Sequence, residues 1–249
     1  MGGNVGQFFA RDFTGSPFVM FGPAHLVALG VVAAVIVGLT RLKGASEAVR
    51  TRVRWGMAIT LWLNEIGWHA WNAAIGQWTL KTMLPLHVCS ALVWLGGYAL
   101  VSRNRRIYEV LYFLGIAGAV QALLTPDLGI YGFPHYRFFQ TFLSHGLIVA
   151  AAIVLTVLEG MRPTWRSMLR VMVTANVYMV AVFFINSALG SNFMYVNRKP
   201  DTASLIDLMP AWPWYLPWLE VLGLVLFVLL YLPFAISDAR ARRGGPARG

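Results

Sequence analysis

Cys89 and five histidines hold most of the reactive chemistry in this chain. A cysteine whose proton is taken by an imidazole attacks esters readily, so a Cys/His pair points to acyl transfer or hydrolysis. The competing reading is that unpaired cysteine is often buried and behaves as a small hydrophobe. His87 cannot serve Cys89 within a regular helix, because two residues of separation turn it roughly 200° away. The base must come from another segment, His145 first by depth and His69 next. Ser90 and Ser144 are alternative, weaker nucleophiles.

A second cluster surrounds these residues. Asn64, Glu65, Trp68, His69 and Asn72 recur at i, i+1, i+4, i+5 and i+8, one side of a helix. Glu65 and His69, one turn apart, can share a hydrogen bond or a proton; a purely structural bond inside a helical bundle gives the same spacing. Cys89, Val93, Gly96 and Gly97 are small enough to let helices approach closely or to leave a groove.

The elements that must position these groups cross a membrane. Hydrophobic residues make up 58% of the chain and charged ones 12%, about half the charge of a soluble domain. Mean hydropathy is +0.62. Seven segments are long and apolar enough for a bilayer: 21–40, 55–77, 84–102, 107–125, 138–158, 169–190 and 214–234. The fold expected is therefore an all-α, polytopic membrane protein with seven transmembrane helices. Residues 1–238 form one domain, with 1–20 lying along the membrane surface. Residues 239–249 are expected to be a basic, disordered cytoplasmic tail.

Charge supplies the orientation. The net charge is +10, yet the basic residues lie in short loops rather than on a soluble face, so nucleic acid is excluded. Arg41, Lys43, Arg50, Arg52 and Arg54 occupy the first connection, and Arg103, Arg105 and Arg106 the third. Arg162, Arg166 and Arg170 follow in the fifth, and Arg240, Arg242, Arg243 and Arg248 in the tail. Only Arg11, Lys81, Arg137, Arg198 and Lys199 fall on the other side. The positive-inside rule then places the N-terminus outside and the C-terminus in the cytoplasm, in the cell membrane. With this topology every histidine lies in the outer half. Cys89 is expected roughly 6 Å inside a helix starting near Pro85, and His145 roughly 10 Å inside one starting near Phe138.

Other seven-span chemistries fare less well. A retinal Schiff base needs a lysine within a span, and Lys43, Lys81 and Lys199 are all in loops. A zinc hydrolase would draw on His25, His69, His87, His145, Glu65 or Glu220, but no HExxH-type spacing occurs. A transporter or sensor would use Glu65 and Asn176, without the internal repeat that marks many transporters. No metal or other cofactor is expected.

The strings LPLHVCSALVWL at 84–95, LTPD at 124–127, GFPHYRFFQTFLSHG at 132–146, GMRP at 160–163 and NSALGSNFMY at 186–195 resemble the YwaF-like family of bacterial membrane proteins. That family is related to eukaryotic transmembrane protein 164, described as a phospholipid acyltransferase using a membrane cysteine and histidine. Related androgen-induced proteins are lipid hydrolases with threonine in place of the cysteine. The resemblance implies Cys89 as nucleophile and His145 as base, acting on a membrane phospholipid or lysophospholipid. Supporting roles fall to Glu65 and His69, which would orient or tune the base, and to His87 or Asn72 as oxyanion donors. His135 and Arg137 could hold a phosphate headgroup.

Overall fold

A computed structural model of the chain describes residues 5–200 and 205–243. It is 75% helix, and the described residues hold no strand. The long helices are α1 (Pro23–Thr40), α2 (Glu47–Ala74), α3 (Val88–Ser102), α4 (Arg105–Leu124), α5 (Tyr136–Val157), α6 (Trp165–Leu189) and α7 (Tyr215–Arg243). Five of them, α1, α4, α5, α6 and α7, are long and apolar enough to cross a membrane. The chain is thus a polytopic helical membrane protein. α2 has the length, at 28 residues, but its polar face dilutes it; α3 has the hydropathy but only 15 residues.

Local chemistry fixes the ends. Ser46 opens α2 by accepting from Val49 N–H, with Glu47 in the first turn to favour the helix dipole. Asn104 opens α4, and Thr164 with Ser167 forms a reciprocal capping box at the start of α6. α4 contains a π-helical turn at Leu111–Gly115.

Two expected helix starts shift. Pro85 does not begin α3: Leu84 before it is extended, as a residue preceding proline must be, and so is His87. The helix begins at Val88, so Cys89 sits in its first turn rather than one turn deeper. α5 begins at Tyr136 rather than Phe138, which puts His145 about 13.5 Å along it. At the other end of the chain α7 runs helically to Arg243, into the basic stretch expected to be a tail, and 244–249 lie outside the described residues. The N-terminal segment is held by side chains: Trp71 donates to Phe9 O at 2.9 Å and Tyr131 to Arg11 O at 2.9 Å.

α5 is the centre of the molecule. Of its apolar window 72% is buried, against 6% for α1 and α7 and 11% for α6. It packs with α2, α3 and α4 around Leu61, Leu92, Leu100, Phe113, Ile148 and Leu155. Contact there is close because side chains are missing where helices meet. A Cβ added to Gly97 would stand 2.3 Å from the indole nitrogen of Trp62, and one on Gly146 would stand 3.0 Å from Val32.

Ion pairs tie the helices at the end of the bundle where α2 begins and α5 ends. Arg54 meets Glu159 at 2.5 Å, each side chain only 5% exposed, and Arg103 reaches Glu159 at 3.3 Å. Glu47 takes Arg50 at 2.6 Å, and Glu109 takes Arg170 at 2.8 Å. Arg50 also donates to the Leu158 carbonyl at the end of α5 at 2.7 Å. Arginines that the sequence offers as topology signals therefore also fasten the bundle.

Candidate functional site

The polar face of α2 lies against α5, as the period-3.6 pattern requires. Asn64 donates to the Gln140 carbonyl at 3.2 Å. The Arg137 guanidinium lies 4.1 Å over the Trp68 ring, a cation–π contact, and donates to Gln140 Oε1 at 2.7 Å and Thr141 Oγ1 at 3.0 Å. Glu65 is buried and lies within electrostatic range of Arg137 and of Cys89. Tyr136 directs its hydroxyl at Gly67, where an added Cβ would stand 3.0 Å away, and among the described residues this buried hydroxyl has no hydrogen-bond partner. α2, α3 and α5 thus enclose a polar seam whose hydrogen-bonding capacity is not exhausted.

The hydrogen bonds fix the tautomer of each histidine. His145 Nδ1 lies 2.8 Å from the Thr141 carbonyl. A carbonyl only accepts, so Nδ1 carries the proton and Nε2 presents a lone pair, the form a general base needs. His69 is the reverse: its Nδ1 accepts from Trp78 Nε1–H at 3.0 Å, so Nε2 carries the proton, 3.7 Å from Glu65 Oε1. His87 Nδ1 accepts from Met194 N–H at 3.2 Å, which leaves Nε2–H as a donor two residues before Cys89.

Two histidines serve the backbone alone. His25 accepts from Phe21 N–H and donates to the Leu123 carbonyl, both at 2.9 Å. His135 caps α5 by accepting from Arg137 N–H and donates to the Ala10 carbonyl, both at 3.0 Å. Burial holds its basicity below the ordinary histidine value. With both ring nitrogens engaged, His135 keeps the turn that presents Arg137.

Cys89, half-buried, turns its thiol toward α4, where a Cβ added to Gly118 would stand 3.7 Å from Sγ. Cys89 packs against the apolar core of the bundle, and among the described residues no hydrogen bond joins its thiol to His145. Asn72 is buried and donates to the Trp68 carbonyl at 2.8 Å. No group of three or more His, Cys, Asp or Glu among the described residues is placed to hold a metal ion. The metal-hydrolase alternative therefore lacks a ligand set there.

One structural centre is invisible to periodicity. Asn186 is buried and holds four bonds: its amide donates to Phe193 O and Asn197 Oδ1, and its Oδ1 accepts from Ser191 Oγ and Phe193 N–H, all at 2.8–2.9 Å. It shapes the loop after Gly190, whose φ of +66 ends α6. That loop sets Phe193 and Tyr195 against the His87 ring, and Tyr178 of α6 donates to the Leu86 carbonyl at 3.0 Å. The clue in the sequence is the NSALGSNFMY string, dense in turn-forming residues beside one buried asparagine.

No curated protein and no solved structure matches the chain. Residues 20–231, a stretch that includes α1 to α6 and much of α7, match the TMEM164 family, and the chain belongs to that family.

Proposed function

We propose that this protein transfers or hydrolyses acyl groups of membrane lipids, with Cys89 as nucleophile and His145 as base. The observation that carries the reading is His145 itself. Its Nδ1 is tied to Thr141, no hydrogen bond reaches its Nε2 among the described residues, and it follows Arg137 and Thr141 at four-residue spacing on the side of α5 turned to α2.

The chemistry follows in two balanced steps. His145 Nε2 takes the Cys89 proton as sulfur attacks the ester carbonyl carbon. The C–O bond breaks, the lysolipid oxygen leaves with that proton, and the acyl group remains on sulfur as a thioester. His145 then deprotonates an acceptor hydroxyl, of a lysophospholipid or water, which attacks the thioester; the thiolate leaves and recovers the proton. His87 Nε2–H and Asn72 supply donors for the oxyanion, and Glu65 and His69 tune the seam's charge. Arg137, stacked on Trp68, is the phosphate anchor, with His135 holding its backbone. Side-chain movement of Cys89 toward His145 on substrate binding is part of this reading, since catalytic contacts often tighten only in the complex.

The same reading places the protein in the cell membrane with seven spans, α2 and α3 crossing within the shelter of the other helices. The N-terminus lies outside and the site in the outer half. Within its family we group the chain with the bacterial YwaF-like proteins, on the strings around Cys89 and His145. The test is turnover in vesicles containing labelled phospholipid and lysophospholipid. Wild type should move the label, and Cys89→Ala and His145→Ala should each abolish transfer, with the double variant no worse. Undiminished transfer by Cys89→Ala would end the proposal.

A further inference from the structure

Glu65 and His69 lead from the buried seam toward the protein surface. The Glu65 side chain is 4% exposed, and that of His69, one turn along α2, is 25% exposed. Trp78, in the loop after α2, is 41% exposed and covers His69 Nδ1 with its indole N–H. An imidazole passes a proton by gaining one at one nitrogen and releasing one from the other. Here the releasing nitrogen, Nε2, faces Glu65, while the receiving nitrogen is closed by Trp78.

We propose that Glu65 and His69 form a proton route between the polar seam and the adjacent aqueous face, with Trp78 as its latch. When the indole swings away, Nδ1 takes a proton from water. Nε2 then gives its own proton to the Glu65 carboxylate, which becomes the neutral acid, and the ring remains neutral as the other tautomer. Exchange with water at the two nitrogens restores the starting form. The groups that face Glu65 are Cys89 from α3 and Tyr136 and Arg137 from α5. Protonating Glu65 removes a negative charge from beside the thiol and leaves the Arg137 cation without that counter-charge. The route thus sets the charge state of the seam, and it stands whether or not acyl transfer occurs there.

The experiment uses the full chain in detergent micelles, so that water reaches both faces. A rapid drop in pH is followed by infrared difference spectroscopy of the protonated-carboxyl stretch, assigned to Glu65 by its loss in Glu65→Gln. Trp78→Phe should protonate Glu65 about tenfold faster than wild type, the effect of removing the hydrogen bond that closes the latch. His69→Gln and His69→Phe should be about tenfold slower, since a buried carboxylate then lacks its relay. Because Trp78 is exposed, its phenylalanine variant keeps the fold and the test survives even where the His69 variants do not. A Trp78→Phe rate equal to or below wild type, or a folded His69 variant as fast as wild type, would overturn the route.

Discussion

At the end of the bundle where α2 begins and α5 ends, Arg54, Arg103, Glu47 and Glu159 neutralise one another at 2.5–3.4 Å, in pairs 7 to 105 positions apart in sequence. At the opposite end, Arg137 and Glu65 are in electrostatic range yet form no ion pair among the described residues. Among the same residues the Tyr136 hydroxyl has no partner and no hydrogen bond reaches His145 Nε2. Both ends bury charge between the same helices. The ion-pair cluster has matched its charges, although among the described residues the Nε atoms of Arg50 and Arg54 find no acceptor. The cluster around Glu65 leaves its carboxylate unpaired with Arg137. Buried polar groups without partners are costly wherever they occur, and ionisable groups inside a membrane bundle are the first place to test for chemistry.

The comparison is broken most severely at the ion-pair cluster. Arg54→Ala should destabilise the protein by about 3–5 kcal/mol, because it leaves the Glu159 carboxylate buried with weaker compensation. Replacing both partners, as Arg54→Met with Glu159→Leu, should recover much of that loss. Unfolding in mixed micelles reads both. A Glu65→Gln variant at the other end should cost far less by the same measure, since no matched pair with an arginine is lost there. Equal losses at the two ends would erase the distinction.

Asn186→Ala gives the next largest effect. It strips the loop of its organising side chain and should cost about 1–3 kcal/mol, the range for leaving buried partners unsatisfied. Since that loop also supplies the Met194 N–H that fixes the His87 tautomer, limited proteolysis should show cleavage rising between 190 and 199.

His135 gives the smallest effect and sharpens the contrast between structural and available histidines. Its basicity is lowered in the folded protein, first by burial, so the unfolded chain binds its proton more readily. The stability it contributes is full above the unfolded histidine pKa of about 6.5 and declines as pH falls through the lower folded value. Protonation also occupies the Nδ1 lone pair that caps α5. Thermal midpoints between pH 8 and 5 should fall more steeply for wild type than for His135→Gln; parallel curves would contradict this assignment.

What was legible in the sequence tracks the range of the interactions involved. The Asn64–Glu65–Trp68–His69–Asn72 face follows from helical period alone, and the structure sets Asn64 and Trp68 against Gln140 and Arg137 of α5. The start of α3 was misplaced by three residues because proline can open a helix or hold the chain extended before one. The choice here is stabilised by Tyr178, ninety-two positions from Leu86. Pairings such as Arg54 with Glu159 leave no periodic trace, and neither do the backbone carbonyls that claim His25 and His135. Topology assigns all five histidines to one half of the membrane; only their hydrogen bonds separate the three with a role open to them from the two committed to the backbone.

The central claim, that the outer seam is where a lipid ester is opened by Cys89, is tested most directly by looking for the acyl group on sulfur. Purified protein is mixed with phospholipid, quenched in acid within seconds and digested, and the peptide containing Cys89 is weighed. Wild type should carry one acyl mass, removable by hydroxylamine, and His145→Ala should carry none. An unmodified Cys89 peptide under conditions where lipid is turned over, or turnover that persists in Cys89→Ala, would contradict the account.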